Sequence, residues 1–270
     1  TDNFVVTHNT VQALVAIDET PGAMPYVVVC PAHLKYGWRK MAKQHVGHRA
    51  VVVGGQVADY SEIKDADGFW AGSYYGVMAF GVNTDIIKTV PTKWEDLLKS
   101  DYAGSFALTG DPRASNQAIL AIMSAGMSRG AEPGKDTGTK GLEFMAELNK
   151  AGNFVPVSGK SGTIAQGQTP IVAAWDYNLL SWRDSLAGNP PVEVVIPEGP
   201  VLAGVYVQAI SAYAPHPNAA KLWMEHLFSN EGQNGYVKGY CHTARFNKMV
   251  EAGQVPQDLL DALPPADAYT

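Results

Sequence analysis

The sequence predicts an α/β fold in two lobes, and three observations predict it. Short apolar runs of strand length alternate with segments whose apolar residues recur at helical spacing. Gly- and Pro-containing turns punctuate them along the whole chain. Two strand-like runs, Tyr75–Val82 and Leu202–Ser211, bracket a compact α/β segment, as expected where one strand enters a lobe and another leaves it. The 270 residues suffice for one large domain or two small ones. With 46% hydrophobic and 17% charged residues the composition is that of a folded chain. No stretch approaches the ~18 consecutive apolar residues of a membrane span.

Residues 10–17 read as a helix capped by Thr10 and stopped at Pro21-Gly22. Tyr26–Cys30 is a continuous apolar run, as in a buried strand, and Pro31 ends it. Leu34, Trp38, Met41 and His45 mark an amphipathic helix over 32–45, and Arg49–Val53 is a second strand closed by Gly54-Gly55. Strand, helix, strand is a βαβ unit, the builder of parallel sheets. After Tyr75–Val82, Asn83-Thr84-Asp85 turns the chain, and Thr92 with Glu95 forms a capping box for a helix over 93–99. Ser105–Leu108 is a strand, 115–128 a helix, 130–139 a loop, Lys140–Ala151 a helix and Val155–Val157 a short strand. A helix starts in 162–168, Ile171–Trp175 is a strand, and a helix follows to Leu186. Val192–Ile196 and Leu202–Ser211 are strands, Asn218 caps a helix to Ser229, and the tail from Gly239 holds short helices and turns.

The net charge of −6 argues against a nucleic-acid binder. That charge is unevenly spread. Residues 1–55 carry five basic against three acidic side chains and four of the seven histidines, leaving the remainder at −8. Cys30 and Cys241 cannot build a disulfide framework; they read as a single bridge or, in preference, as two buried free thiols. Thr1-Asp2-Asn3-Phe4 lacks the basic start and apolar stretch of a secretory signal, which reads as a mature form, a cytosolic protein or a fragment. Zinc-protease, Cys-x-x-Cys and dinucleotide-binding motifs are all missing from the sequence, so no enzyme class is indicated and no cofactor is expected.

Two stretches carry chemistry. Leu108 to Gln117 reads as strand, glycine turn and helix start, where free backbone N–H groups favour an anion. Asp111, Arg113, Ser115 and Asn116 are its candidate contacts, Arg113 through a charge-assisted bond. The same residues also read as an ordinary turn with Ser115 as N-cap. Trp175, Asp176 and Tyr177 follow a strand carboxyl end, where open α/β sheets place ligands. They also read as core packing with Asp176 as a helix cap. Tyr74, Tyr75 and Tyr206 lie near the two connecting strands; adjacent strand residues face opposite ways, so Tyr74 and Tyr75 would not chelate one ion together. His242 beside Cys241 reads as structural, and no metal site is expected.

From about residue 57 onward the chain resembles a bacterial extracellular solute-binding protein of an ABC importer, of the group associated with iron, phosphonate, thiamine or polyamine uptake. The matching stretches are Asp65 to Val77, Gly110-Asp111-Pro112-Arg113, Ala151 to Pro156, Trp175 to Asn178, Gly204 to Ile210, Pro215 to Ala220 and Ser229 to Gln233. Each is weak alone; their order and spacing are specific. The resemblance implies a type II periplasmic-binding-protein-like fold with a strand hinge, and solute capture between lobes without catalysis. It implies delivery of a small anionic or zwitterionic solute, or a metal–anion complex, to permease transmembrane subunits. It also implies a monomer placed in the periplasm or outside the cell. Tyr206 and Gln208 would lie near the hinge, and Tyr75 beside them.

Residues 1–55 resemble instead a Swi/Snf-type helicase ATPase, through Thr10 to Leu14, Val28 to Lys35 with Trp38, and Val51 to Gly55. Thr7-His8-Asn9-Thr10 keeps only the threonine of that family's phosphate loop, and without its lysine and glycines ATP hydrolysis is not expected. The chain thus reads as a chimera joined near 55–60, its first lobe incomplete or replaced. The expected division is 1–55 as the βαβ segment, 56–82 as connector and hinge strand, 83–198 as ligand-binding lobe, 199–235 as return strand and helix, and 236–270 as helical tail. The alternatives are an inactive chimera without ligand binding and a nucleotide-binding helicase-like fragment.

Overall fold

The computed structural model describes residues 65, 67–132 and 135–263. The elements expected within 1–55, Cys30 and the junction near 55–60 lie outside the described residues.

One strand organises the rest. β1 (Trp70–Asn83) runs for 14 residues and exchanges its neighbours midway. Its amino-terminal half pairs antiparallel with β5 (Ala203–Ala209), from Trp70 opposite Ala209 to Val77 opposite Ala203. On its other side it meets the short β6 (His242–Thr243). From Met78 onward the partners are β3 (Ile171–Trp175) and β4 (Val192–Val195), both antiparallel. β2 (Phe106–Leu108) lies parallel on β3, giving a mixed sheet in the order β2-β3-β1-β4. The two strands expected to bracket a lobe are therefore direct neighbours, and the lobe grows from the second half of β1.

Alternation along the strands sends side chains to two faces. Met78, Phe80, Val82, Ile171 and Ala173 join the larger core, under α1 (Asn116–Ser128) and α2 (Thr137–Lys150). Ala79, Val172 and Ala174 join a second core with α3 (Ser161–Ala165) and α4 (Asp176–Leu186) through Ile164 and Leu179. In the larger core Trp94 makes edge-on contacts with Phe80, Phe106 and Phe144 at 4.8–6.1 Å between centroids. Each is worth about 0.5–1.5 kcal/mol beyond area burial. The Trp94 indole N–H donates to Ser124 Oγ at 3.2 Å, so the ring is buried with its polar atom satisfied. α1 and α2 meet backbone to backbone: a Cβ on Gly126 would stand 2.0 Å from the Thr137 carbonyl, and one on Gly141 2.0 Å from that of Ile122.

Beyond β5 come α5 (Pro217–Phe228), α6 (Asn230–Lys238), α7 (Phe246–Glu251) and α8 (Gln257–Ala262), with a small core of Val237, Met249 and Val255. No helix among the described residues is long and apolar enough to cross a membrane.

Several elements differ from expectation. Residues 94–98 and 100–102 form 3-10 turns rather than an α-helix over 93–99. Asp96, not Glu95, accepts from the Thr92 and Lys93 N–H groups, so the cap closes one residue later than the spacing implied. Val155–Val157 is no strand: only Phe154 bridges to Phe106, and Pro156 has no N–H to extend the ladder. α2 begins at Thr137, inside the expected loop. α5 begins at Pro217, whose fixed φ suits a first helical turn, so Asn218 is not its cap. β1 begins five residues before Tyr75, because pairing with β5 recruits Ala71-Gly72-Ser73 despite their weak strand propensity. α6 and β6 have no counterpart in the sequence-based expectation.

Gly76 and Gly204 face each other across β1 and β5. A Cβ on Gly204 would stand 2.4 Å from the Trp175 ring, and one on Gly76 2.4 Å from the Tyr177 ring. Gly204→Ala is therefore expected to cost about 1–3 kcal/mol by overpacking, read by urea unfolding. Gly138→Ala, on the open surface of α2, is the control and should be neutral or stabilising by up to about 1 kcal/mol.

Candidate functional site

Gly110 bears φ +117°, a conformation that side chains disfavour, and it lets the chain leave β2 and turn onto α1. Ser115 is the N-cap of α1: its Oγ accepts from Ala118 N at 3.2 Å and donates to the Thr109 carbonyl at 3.0 Å. Asp111 and Arg113 bind each other through Nη2–Oδ2 at 2.5 Å and Nε–Oδ1 at 3.0 Å. The guanidinium beside it holds the Asp111 carboxyl down at about 2. Both side chains face solvent, Arg113 at 89% exposure, so solvent screens the pair. Asn116 is half-buried, and its Oδ1 is buried without a hydrogen-bond partner.

The two stretches singled out in the sequence meet through a residue that was not among the candidates. Gln117 Oε1 accepts from the Trp175 amide at 2.6 Å and from Asn178 Nδ2 at 3.0 Å. The start of α1 is thereby tied to the junction of β3 and α4. Trp175 itself is 2% exposed and belongs to the core, its ring over Gly204. Asp176 is fully buried: Oδ1 accepts from Val77 N at 3.0 Å, and Oδ2 stands 3.6 Å from His242 Nε2. Tyr177 is half-buried above Gly76.

Tyr177 belongs to a cluster of four half-buried tyrosines. Tyr74 stacks between Tyr206 at 4.7 Å and Tyr236 at 4.8 Å, and Tyr177 meets its edge at 6.2 Å. The Tyr177 hydroxyl donates to the Tyr206 hydroxyl at 3.3 Å. Tyr74 and Tyr206 align because β1 and β5 shift register between Gly72 and Tyr74, which leaves Ser73 as the extra residue of a bulge. Ser73 Oγ donates to the Tyr206 carbonyl at 3.1 Å and accepts from Gln208 Nε2 at 3.4 Å. Tyr75 turns the other way and stacks on His242 at 5.2 Å. Of the expected residues, Tyr177, Tyr206 and Gln208 thus gather at the crossing strands, Ser115 and Asn116 at the start of α1, and Tyr75 on the opposite side of β1. Sequence reasoning missed Gln117, Ser73 and Tyr236; the last sits on α6, where no helix was foreseen. A mostly apolar groove of about 410 Å³ beside the same turn, lined by Leu108, Leu142, Phe154 and Val157 among others, offers few donors for a polar solute.

Burial, then the neighbouring tyrosines, push the Tyr74 phenol up to about 12, and burial with the Tyr206 hydroxyl pushes Tyr177 higher still. Both present O–H groups at neutral pH. The unfolded chain ionises its tyrosines at about 10, so the folded-state preference for the neutral phenol is fully present below that pH. It is lost as pH rises from about 10 through about 12. Stability should fall over that window, and Tyr74→Phe should flatten the fall, as measured by denaturant midpoints at stepped pH. Gln117→Leu strips the Trp175 amide of its acceptor. It should cost about 1–3 kcal/mol, against about 1 kcal/mol for Ser115→Ala, both read by urea unfolding.

The sequence pattern of a family described as bacterial extracellular solute-binding protein matches residues 44–260. That match begins upstream of the junction expected near 55–60 and takes in the Arg49–Val53 run. No curated protein matches the chain. Among solved structures, an ABC transporter protein from Clostridium perfringens is 15% identical with a TM-score of 0.57, over 97% of this chain and 82% of that one. The periplasmic binding protein AfuA from Actinobacillus pleuropneumoniae, solved with exogenous fructose-6-phosphate, is 22% identical with a TM-score of 0.53, over 66% and 56%. PotD, a spermidine/putrescine substrate-binding protein from Streptococcus pneumoniae solved with calcium and HEPES, is 14% identical with a TM-score of 0.56, over 80% and 63%. The chain spans less than two thirds of the length of AfuA and PotD. The fold is that of the two-lobed periplasmic binding proteins.

Proposed function

The chain belongs to the bacterial extracellular solute-binding protein family, and from that membership we propose that it captures a small polar solute for an ABC importer. The observation that carries the reading is the tyrosine cluster at the strand exchange. β1 and β5 cross side by side, and Tyr177 from the 83–198 lobe reaches Tyr206 on the returning strand. A solute seated there touches both sides of the hinge, so its binding favours the closed population. The same geometry supports the division at 83 and 198, with the crossing strands as hinge.

The solute is anionic or zwitterionic in this reading. The Asp111–Arg113 pair is exposed and screened by solvent, so Arg113 can leave Asp111 for a solute anion at little cost. The helix start with Ser115 and Asn116 adds donors. The phenol rings and hydroxyls of Tyr177 and Tyr206 offer flat surface and hydrogen bonds to the remainder. The fructose-6-phosphate named for AfuA is an anion of this kind, whereas the spermidine and putrescine named for PotD are cations and stand as the contrary outcome. The chain acts without catalysis, as a monomer, with the permease transmembrane subunits as its partner and no nucleic acid.

Thermal unfolding of the whole chain against a panel tests this. The panel holds inorganic phosphate, 2-aminoethylphosphonate, fructose-6-phosphate, putrescine, spermidine, thiamine, ferric citrate and Mg-ATP. Saturation to a hundred Kd adds about 2.7 kcal/mol, or about 5–10 °C for a chain of this size. One small solute should give such a shift, and Tyr177→Ala should abolish it. A cooperative melt moved by none of them, or only by Mg-ATP, overturns the reading.

A further inference from the structure

Asp176 drew attention in the sequence as an acceptor for a solute amine or hydroxyl. Its surroundings assign it different work. Val77 is the last residue of β1 opposite β5, and Met78 is the first opposite β3. The Val77 N–H lies at this exchange, buried, and donates to Asp176 Oδ1 rather than to a strand. A buried donor without an acceptor is costly, so the carboxylate supplies at the exchange what the sheet does not. Oδ2 faces His242 Nε2, and His242 is itself 4% exposed. That ring lies between Tyr75, stacked at 5.2 Å, and Phe246, edge-on at 5.4 Å. One carboxylate thus reaches the crossing strand and β6 from the first residue of α4, where the helix dipole favours its charge. Its charge, after burial, helps push the Tyr75 phenol up and the Cys241 thiol up to about 12.

We propose that Asp176 and His242 are positioning residues for the solute site: they clamp the start of α4 to β1 and β6 and thereby hold Tyr177 against Tyr206. Tyr177 is the next residue in the chain; its ring lies over Gly76, whose missing Cβ leaves room for it, with Tyr74 at its edge. The carboxylate one residue earlier anchors the backbone from which that ring projects. The inference rests on the tyrosine cluster being the solute site, but the geometry can be read with no solute present.

Residue-resolved nitration with tetranitromethane at pH 8, followed by peptide mass spectrometry, reads it, because the reagent attacks accessible, ionising phenols. In the unaltered chain Tyr177 and Tyr206 should react slowly relative to Tyr213, which is exposed. Tyr102, buried in the larger core with its hydroxyl on the Thr89 carbonyl, reports on the fold at large. In His242→Phe, which keeps a ring against Tyr75, and in Asp176→Ala, nitration of Tyr177 and Tyr206 should rise at least threefold with Tyr102 still protected. Asp176→Asn keeps the acceptor for Val77 and should restore most of the protection, as should His242→Gln. Protection of Tyr177 and Tyr206 unchanged in folded His242→Phe overturns the proposal. So does a rise there that Tyr102 shares, since that marks general loosening. Should Asp176→Ala fail to fold, His242→Phe decides. A failed solute panel with the expected nitration pattern would sink the transport reading alone.

Discussion

Two missing side chains govern the centre of this molecule. Gly76 and Gly204 sit opposite each other on the crossing strands, and the space a pair of methyl groups would occupy is taken by the rings of Trp175 and Tyr177. Trp175 can therefore be core and Tyr177 half-buried two residues apart at one strand-to-helix junction. The buried carboxylate between them accepts from the Val77 N–H, and a Cβ on Gly76 would crowd it at 3.2 Å. Sheet exchange, tyrosine cluster and lobe attachment all depend on that close approach.

Much of this was legible in the residues. Ile171–Trp175 and the helix to Leu186 stand where the sequence places them, because a continuous apolar run followed by Asp-Tyr-Asn leaves little ambiguity. Ser115 caps α1 as its type and position imply. The failures share a cause. The start of β1, the 3-10 turns after Pro91 and the short β6 are set by partners distant in sequence, and local propensity cannot register a partner. Tyr236 and Gln117 were invisible for the same reason: each matters through what the fold brings beside it. Gln117 looked like one polar residue on a helix, yet it holds the Trp175 amide.

The electrostatics of the site is more muted than the sequence implied. An arginine at a helix start reads as an anion trap, but Arg113 is already engaged by Asp111, in solvent. The buried acid, Asp176, is engaged by the backbone and faces a histidine. What remains toward the crossing strands is phenol hydroxyls and amides, which interact by hydrogen bonds and ring faces more than by charge and lose little to salt screening.

The contact of Gly126 with Gly141 has a mechanical consequence. Helices whose backbones touch cannot slide or splay without breaking van der Waals contact along their length, so the pair behaves as one stiff unit. α2, with 14 residues, is about 21 Å long, and across a body of that depth each degree of rotation sweeps the far edge by about 0.4 Å. A stiff unit of that length acts as a lever arm: a small angle at its base becomes a larger displacement at its rim.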